Sequence, residues 1–213
     1  MLTMAVTLAL GVCAVSLLRN DRWFSFAKSS PTLHTSPQND GSRIEDEEYA
    51  VYSALINEST GDDNKDRLLV IQEEPSPWVG ITGEELDRVY EALESSPNVM
   101  PETVYDLRAK VREHRNFARH FDIKWRYVLV SGKELEEIFQ DGGGSWDKFY
   151  KEYLGSKGIT TLSRVGFNSD RTQALVYVGY GCGGLCGGGG YLLFVKTNGV
   201  WVNKGGVGGA WIS

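Results

Sequence analysis

The segment that decides the fold is "QALVYVGYGCGGLCGGGGYLLFVKTNGVWVNK", residues 173–204. Its residue pattern has a period of two, which is typical of β-strands. The dipeptide Asn198-Gly199 is a strong signal for a two-residue hairpin turn. Together with "TTLSRVGFN" just before it, the segment predicts four consecutive strands, which we expect to form an antiparallel β-meander. The predicted strands cover residues 160–168, 173–181, 190–197 and 200–204.

The part of the chain before residue 159 is richer in helical patterns. Apolar residues three and four positions apart predict helices in five places, and two short apolar runs predict strands. We therefore expect an α+β fold, with a helix-rich N-terminal half packed on a C-terminal antiparallel four-stranded β-meander. The predicted helices cover residues 47–56, 82–94, 101–111, 133–140 and 146–154, and the two strands cover residues 67–73 and 123–130.

The glycine-rich stretch at residues 179–190 formally matches a dinucleotide-binding fingerprint, since Gly179, Gly181 and Gly184 have the right spacing. That motif requires a helix directly after the glycines, because the helix N-terminus holds the pyrophosphate, and an acidic residue about 20 positions further on. Here the glycines lead into an aromatic and branched run at residues 191–195, and no acidic residue follows. The sequence therefore predicts a β-hairpin and no nucleotide binding.

Cys182 and Cys186 are separated by three residues within this stretch. A zinc site would need two more ligands, and neither Cys13 nor His34 lies in the expected domain. His114 and His120 do lie in it, but they are six residues apart, a poor spacing for sharing one helix face. We therefore predict no metal site and no cofactor. Closing a short hairpin loop with a disulfide contributes about 2 kcal/mol in the chain-entropy model, and we expect such a bond across a three-residue loop. A reactive dithiol is the alternative.

The N-terminal residues 1–27 contain an apolar segment, residues 2–18, with no charged side chain. Its length fits either the core of a signal peptide or a short membrane anchor. Cleavage after Ala27, lipidation at Cys13 and retention as an anchor all stay open. Arg19 and Arg22 favour a cytoplasmic location for the residues C-terminal to the apolar segment, which conflicts with export.

A Ser/Pro/Thr/Asn-rich stretch comes next, at residues 28–45, and predicts a flexible tether. We expect residues 46–213 to form a single α+β domain, which is an ordinary domain size. The net charge of the chain is −6, and no acidic residue follows Asp170. Nucleic-acid binding needs many cations to neutralise phosphates, so we predict no nucleic-acid partner.

Residues 144–206 contain a set of distinctive elements: Trp146, Phe149-Tyr150, "LSRVGFN" at residues 162–168, "ALVY" at residues 174–177, and Cys182-Gly-Gly-Leu-Cys186. With these elements, this part of the chain resembles a group of bacterial predicted exported or lipoprotein-like proteins of unknown function. The resemblance covers about a third of the chain and implies export, but it implies no activity.

No catalytic constellation is visible in the sequence. We predict a non-catalytic binding or structural domain of the cell envelope, located outside the cytoplasm. It would contact the membrane through residues 2–18 and a protein partner through aromatic residues near the glycines. A thiol-disulfide redox enzyme that uses Cys182 and Cys186 is the alternative. The candidate binding residues are Trp146, Tyr150, Tyr180 and Tyr191.

Overall fold

The computed structural model describes residues 44–59, 66–77, 83–139 and 146–213. These parts of the chain contain five α-helices and seven β-strands. The helices are α1 (Asp46–Ser59), α2 (Glu84–Glu94), α3 (Pro101–Lys110), α4 (Gly132–Phe139) and α5 (Trp146–Glu152). The strands are β1 (Leu68–Gln72), β2 (Arg126–Val130), β3 (Ser156–Leu162), β4 (Gly166–Phe167), β5 (Gln173–Gly183), β6 (Cys186–Thr197) and β7 (Val200–Ile212).

The described strands form one mixed sheet in the order β2-β1-β3-β5-β6-β7, with β4 paired to β5. β1 runs parallel to both β2 and β3, whereas β3, β5, β6 and β7 are joined antiparallel. The predicted fold class, a helix-rich N-terminal half packed on a four-stranded antiparallel β-meander, is therefore wrong. β1 and β2 come from the N-terminal half and belong to the same sheet as the C-terminal strands.

The reason for this error lies in the composition of β1. Its sequence "LLVIQ" is almost continuously apolar, and Leu69, Val70 and Ile71 are all buried. A strand that is buried on both faces needs a neighbour on each side and cover above and below, as in parallel sheets. β2 and β3 supply the two neighbours, and the helices supply the cover.

The predicted strand over residues 160–168 is in fact two strands. β3 ends at Leu162, and β4 begins at Gly166. Between them, Arg164 leaves the ladder and its side chain is buried in an ion pair with Glu48 of α1. A buried charge needs an opposite charge close by, and this need overrides the local strand pattern.

Successive residues of each strand face opposite sides of the sheet, and both sides are covered by helices. On β5, Val176 packs with α1, whereas Tyr177 packs with α2 and α3. On β1, Ile71 faces the same cluster as α1, whereas Val70 packs with α4 and α5. The sheet therefore lies between α1 on one side and the other four described helices on the other.

Acidic residues at the start of α1 bind cations of the C-terminal segment. Glu47 Oε1 accepts hydrogen bonds from Lys196 Nζ at 2.5 Å and from Trp201 Nε1 at 2.8 Å. Glu45, just before the helix, forms an ion pair with Arg171 at 2.5 Å. Arg171 and Lys196 both follow the last acidic residue of the chain. The carboxylates that neutralise them therefore come from the N-terminal end of the domain sequence.

The predictions for the N-terminal segment fall largely outside the described residues. Residues 1–27, with the apolar stretch 2–18 and Cys13, lie there, as do residues 28–43 of the predicted tether. Ile44, the first described residue, is buried in the core. All described residues belong to one compact unit. Within this part of the chain, the structure contains no helix of the length and hydropathy needed to span a bilayer.

Candidate binding surface at the hairpin tip

The β5–β6 hairpin keeps one register over most of its length, from Gln173 opposite Val195 to Gly181 opposite Gly187. The register then shifts, so that Gly183 pairs with Cys186. The connecting turn therefore has two residues, 184 and 185, and the expected three-residue loop is wrong. The extra residue is accommodated as a β-bulge at position 182, where the bulged strand carries one more residue than its partner. We call residues 181–187 the hairpin tip.

Cys182 and Cys186 lie at disulfide-bonding distance at this tip, with their Cα atoms 5.1 Å apart. This Cα separation lies within the range that disulfides require. Cys186 is exposed and Cys182 is half-buried, and the adjoining Leu185 is 91% exposed. The pair is therefore open to solvent and reagents rather than enclosed in a core.

Two aromatic residues of α5 reach the hairpin tip. Trp146 and Tyr150 are four residues apart, which places both on one face of the helix, and their ring centroids are 5.8 Å apart. The Tyr150 hydroxyl donates to the carbonyl oxygen of Cys182 at 2.8 Å and lies 3.1 Å from that of Lys157. The Trp146 ring lies over Gly181, where a Cβ atom would be 3.7 Å from Cη2.

Tyr180 reaches this group from the other face of β5, because it neighbours Gly181 and successive strand residues face opposite sides. Its hydroxyl donates to the carbonyl oxygen of Lys157, which Tyr150 also approaches. Burial raises the pKa of both tyrosines, and for Tyr180 the nearby Tyr150 raises it further. Both hydroxyls are therefore protonated at neutral pH and can donate. We call Trp146, Tyr150, Tyr180 and the hairpin tip together the tip surface.

Tyr191, the fourth candidate binding residue, lies in the core. Its side chain is fully buried, and its hydroxyl donates to the carbonyl oxygen of Pro77 at 2.6 Å. Its ring packs against Tyr177, with the centroids 5.4 Å apart, and against Tyr90. Burial raises its pKa well above the ordinary value for tyrosine. The structure thus brings together three of the four aromatic candidates and separates Tyr191 from them.

Trp211 of β7 is an aromatic residue near the tip that was not predicted from the sequence. Its Nε1 donates to the Tyr177 hydroxyl at 2.8 Å. A Cβ atom at Gly189 would lie 2.8 Å from that Nε1, and one at Gly187 would lie 3.2 Å from the Trp211 Cη2. The indole therefore lies across two glycines of the neighbouring strand. The run of four glycines at residues 187–190, which leaves room for a large side chain of a neighbouring strand, is the sequence signal that could have revealed it.

The opposite face of the same strands carries an open groove of about 410 Å³. It is lined by backbone and by small or apolar side chains, among them Val178, Tyr180, Gly190 and Leu192. At Gly190 an added Cβ would meet only ordinary contacts, the nearest being Ala210 Cα at 3.4 Å. Packing within the chain therefore does not require a glycine at position 190.

The hairpin is uncharged apart from Lys196 near the end of β6, since no charged side chain occurs from Thr172 to Val195. Among the described residues, no three His, Cys, Asp or Glu side chains are grouped so that they could hold a metal ion. The glycines continue into β6, a strand of twelve residues. A phosphate-binding helix N-terminus therefore does not follow them. What the tip surface offers is aromatic rings, backbone groups and a disulfide.

Comparison of the chain with protein-family models, with curated proteins and with solved structures finds no match.

Proposed function

We propose that this chain is a non-catalytic binding domain of the cell envelope, exported or held there by its N-terminal apolar segment. The tip surface would contact a protein of the envelope. The observation that carries the proposal is the position of Cys182 and Cys186 at disulfide distance on an exposed, uncharged hairpin tip. Disulfides persist in oxidising compartments and are rare in the cytosol.

The composition of the tip surface supports a binding role. Aromatic residues are enriched at the centres of protein interfaces, and charged residues are depleted there. Trp146, Tyr150 and Tyr180 are half-buried and held by contacts to the backbone, so little side-chain freedom would be lost on binding. The resemblance to bacterial predicted exported proteins in residues 144–206 points to the same compartment.

A second candidate function is thiol-disulfide exchange by Cys182 and Cys186. Its support is the exposure of Cys186, which a large partner could reach. Two features weigh against it. The pair joins two strands, whereas a helix N-terminus is the usual device that lowers a thiol pKa. The hairpin from Thr172 to Val195 also contains no cation that could stabilise a thiolate.

Site-specific photocrosslinking in the native host tests the binding role. A benzoylphenylalanine in place of Leu185, which is 91% exposed, reports on the tip surface. The matched control places the same group at Tyr105, which is 57% exposed on α3. Thr103, two residues before Tyr105 on α3, hydrogen-bonds to Gln173 at the start of β5. The control position therefore lies near the end of β5 that is opposite the hairpin tip.

The proposal predicts a discrete crosslinked envelope protein from position 185 and none from position 105. Equal crosslinking from both positions, or none from position 185, would contradict it. If Cys182 and Cys186 were catalytic, the chain would accelerate the reduction of a small disulfide substrate by an added dithiol reductant. The proposed binding domain leaves the rate equal to that of the added reductant without the protein.

A further inference from the structure

We propose that the Cys182–Cys186 bond controls the shape of the tip surface. Its reduction would release residues 182–186 from Tyr150 and change the surroundings of Trp146, and the loosening would stop at Gly181 and Trp211. The tip surface would thus be a redox-sensitive element at the end of an otherwise fixed sheet.

The first step concerns the bulge. Ladder pairing passes from Gly181–Gly187 directly to Gly183–Cys186, so Cys182 has no cross-strand partner in the ladder. Beyond it only one ladder pair and a two-residue turn remain. Gly181, just before it, is paired on both sides, with Gly187 of β6 and with Ile159 of β3. Beyond this anchor, the position of the Cys182 backbone depends on its sulfur link to Cys186 and on the hydrogen bond that its carbonyl accepts from Tyr150.

The second step concerns the coupling to α5. The Tyr150 hydroxyl lies between the carbonyl of Cys182, at 2.8 Å, and that of Lys157, at 3.1 Å. If the tip moves, this hydroxyl keeps only the Lys157 acceptor on β3. Gly181, under the Trp146 ring, is next to Cys182 but is itself paired with β3 and β6, so Trp146 senses the movement through the neighbouring residue. Movement of the tip therefore changes the surroundings of both aromatic side chains.

The third step sets the boundary of the movement. Trp211 lies across Gly187 and Gly189, and its Nε1 bonds Tyr177 at 2.8 Å. Tyr177 is fully buried in the core on the α2–α3 side of the sheet. This indole therefore fixes β6 to β5 and β7 at Gly187, the base of the hairpin tip, and at Gly189. Residues closer to the core than Gly189 keep their pairing when the tip loosens.

The reduction requires an external dithiol. The dithiol gives up two electrons and two protons, and its own sulfurs join in a disulfide. The Sγ–Sγ bond between Cys182 and Cys186 breaks, and each Sγ receives one proton. An added dithiol reduces an exposed disulfide to two thiols in this way without help from the protein, so the step needs no catalytic group of this chain.

The effect of the disulfide on the shape of the tip surface does not depend on the proposed function. Its effect on partner binding rests on the proposed function. In an envelope with an oxidising poise, the tip surface keeps its disulfide-bonded shape. Where a dithiol reductant acts, the shape is lost and so is the bound partner. The redox state would then switch binding on and off at one site.

Hydrogen exchange with mass analysis, on the full domain before and after treatment with a dithiol, tests the coupling. We expect exchange of the amides in residues 182–186 to rise about thirtyfold on reduction, which corresponds to about 2 kcal/mol. We expect residues 173–178 and 191–195 to be unchanged. Trp fluorescence should shift to the red on reduction, and a Trp146→Phe variant should lose most of that shift.

Tyr150→Phe tests the link to α5, because it removes only the hydroxyl that bonds the Cys182 carbonyl. Its tip should exchange faster than the wild type when oxidised, and reduction should change its Trp146 signal less. Equal exchange in the oxidised and reduced wild type would overturn the inference. A rise that extends through residues 191–195 would overturn it as well.

The two proposals fail in different ways. Faster exchange at the tip without crosslinking from Leu185 in either redox state leaves the coupling standing and contradicts the binding role. Crosslinking that is insensitive to reduction, together with unchanged exchange, supports the binding role and removes the switch.

Discussion

The guanidinium of Arg164 forms a two-point ion pair with the carboxylate of Glu48, with Nη2–Oε1 at 2.7 Å and Nε–Oε2 at 2.9 Å. The two side chains are 1% and 0% exposed. Glu48 Oε2 also accepts the backbone N–H of Val165 at 2.9 Å. Two parallel charge-assisted hydrogen bonds set both distance and orientation. The pair therefore fixes the passage from β3 to β4 against α1.

Arg164→Met should destabilise the domain by about 3–5 kcal/mol, because it leaves the Glu48 carboxylate buried without its partner. Denaturant unfolding followed by circular dichroism measures the change. The matched control is Lys133→Ala, which breaks the exposed Lys133–Glu137 pair at 3.8 Å and should cost at most about 0.5 kcal/mol. Similar losses in the two variants would show that the buried pair does not organise the fold.

Neighbouring glycines on opposite faces of β6 should respond differently to alanine. At Gly189 an added Cβ would lie 2.6 Å from the Tyr177 hydroxyl and 2.8 Å from Trp211 Nε1. Gly189→Ala should therefore cost about 1–3 kcal/mol, as overpacked sites do. Gly190→Ala faces the open groove and should be neutral or slightly stabilising, because a strand glycine loses more chain entropy than alanine. Thermal unfolding of the two variants compares them, and equal midpoints would refute the position assigned to Trp211.

Gly166 allows α3 to approach the sheet closely. A Cβ atom there would lie 2.2 Å from the Thr103 carbonyl oxygen and 2.5 Å from the Leu107 Cβ. Gly166→Ala requires α3 to move and should cost about 3 kcal/mol. Gly184→Ala, at a position where no atom lies within 4 Å of an added Cβ, is the control and should change the free energy of unfolding little. The contact is disproved if Gly166→Ala is as stable as the wild type.

Stability should fall at acidic pH partly through Glu45. Burial raises the pKa of this carboxyl, but the hydrogen bond from Arg171 and the charge of Lys110 lower it more, so the pKa lies below its ordinary value of 4.5. A carboxyl with a lowered folded-state pKa stabilises the fold above its unfolded pKa, and this stabilisation is lost as the pH falls through the folded value.

The variant Glu45→Gln should therefore be less stable than the wild type at neutral pH by about 0.5–1 kcal/mol, as is typical of partly exposed pairs. The difference should shrink as the pH is lowered below 4.5, the ordinary value for this carboxyl. Urea unfolding at a series of pH values measures it. A difference that stays constant with pH would argue against an ionised Glu45 in the fold.

The sequence predicted most individual helices and strands, because their periods are clear. The strongest case is Asn198-Gly199, where positive φ angles of 52° and 81° match the expected hairpin turn. It did not predict the strand order, since periodicity identifies a strand but not its neighbours. The break at Arg164 depends on Glu48, far away in the chain, so no local pattern could have indicated it.

The candidate site was predicted to a similar extent. Trp146 and Tyr150 meet at the hairpin tip because of their helical spacing, whereas Tyr180 faces the groove and reaches Tyr150 at the Lys157 carbonyl. Tyr191 lies in the core, since its position on β6 faces α2 and α3. Trp211 was missed because β7 was expected to end near residue 204, whereas it extends to Ile212. Glycine-rich strands show too little side-chain alternation for their ends to be predicted.

The most direct test of the central claim is thiol trapping on fractionated cells of the native host. Thiols are alkylated at the moment of lysis, and the state of Cys182 and Cys186 is read by mass analysis in the intracellular, membrane and exported fractions. We expect the chain in the membrane or exported fraction, with the two sulfurs bonded to each other. The intact chain in the intracellular fraction, with both thiols free and alkylated, would contradict the proposed location and the disulfide together.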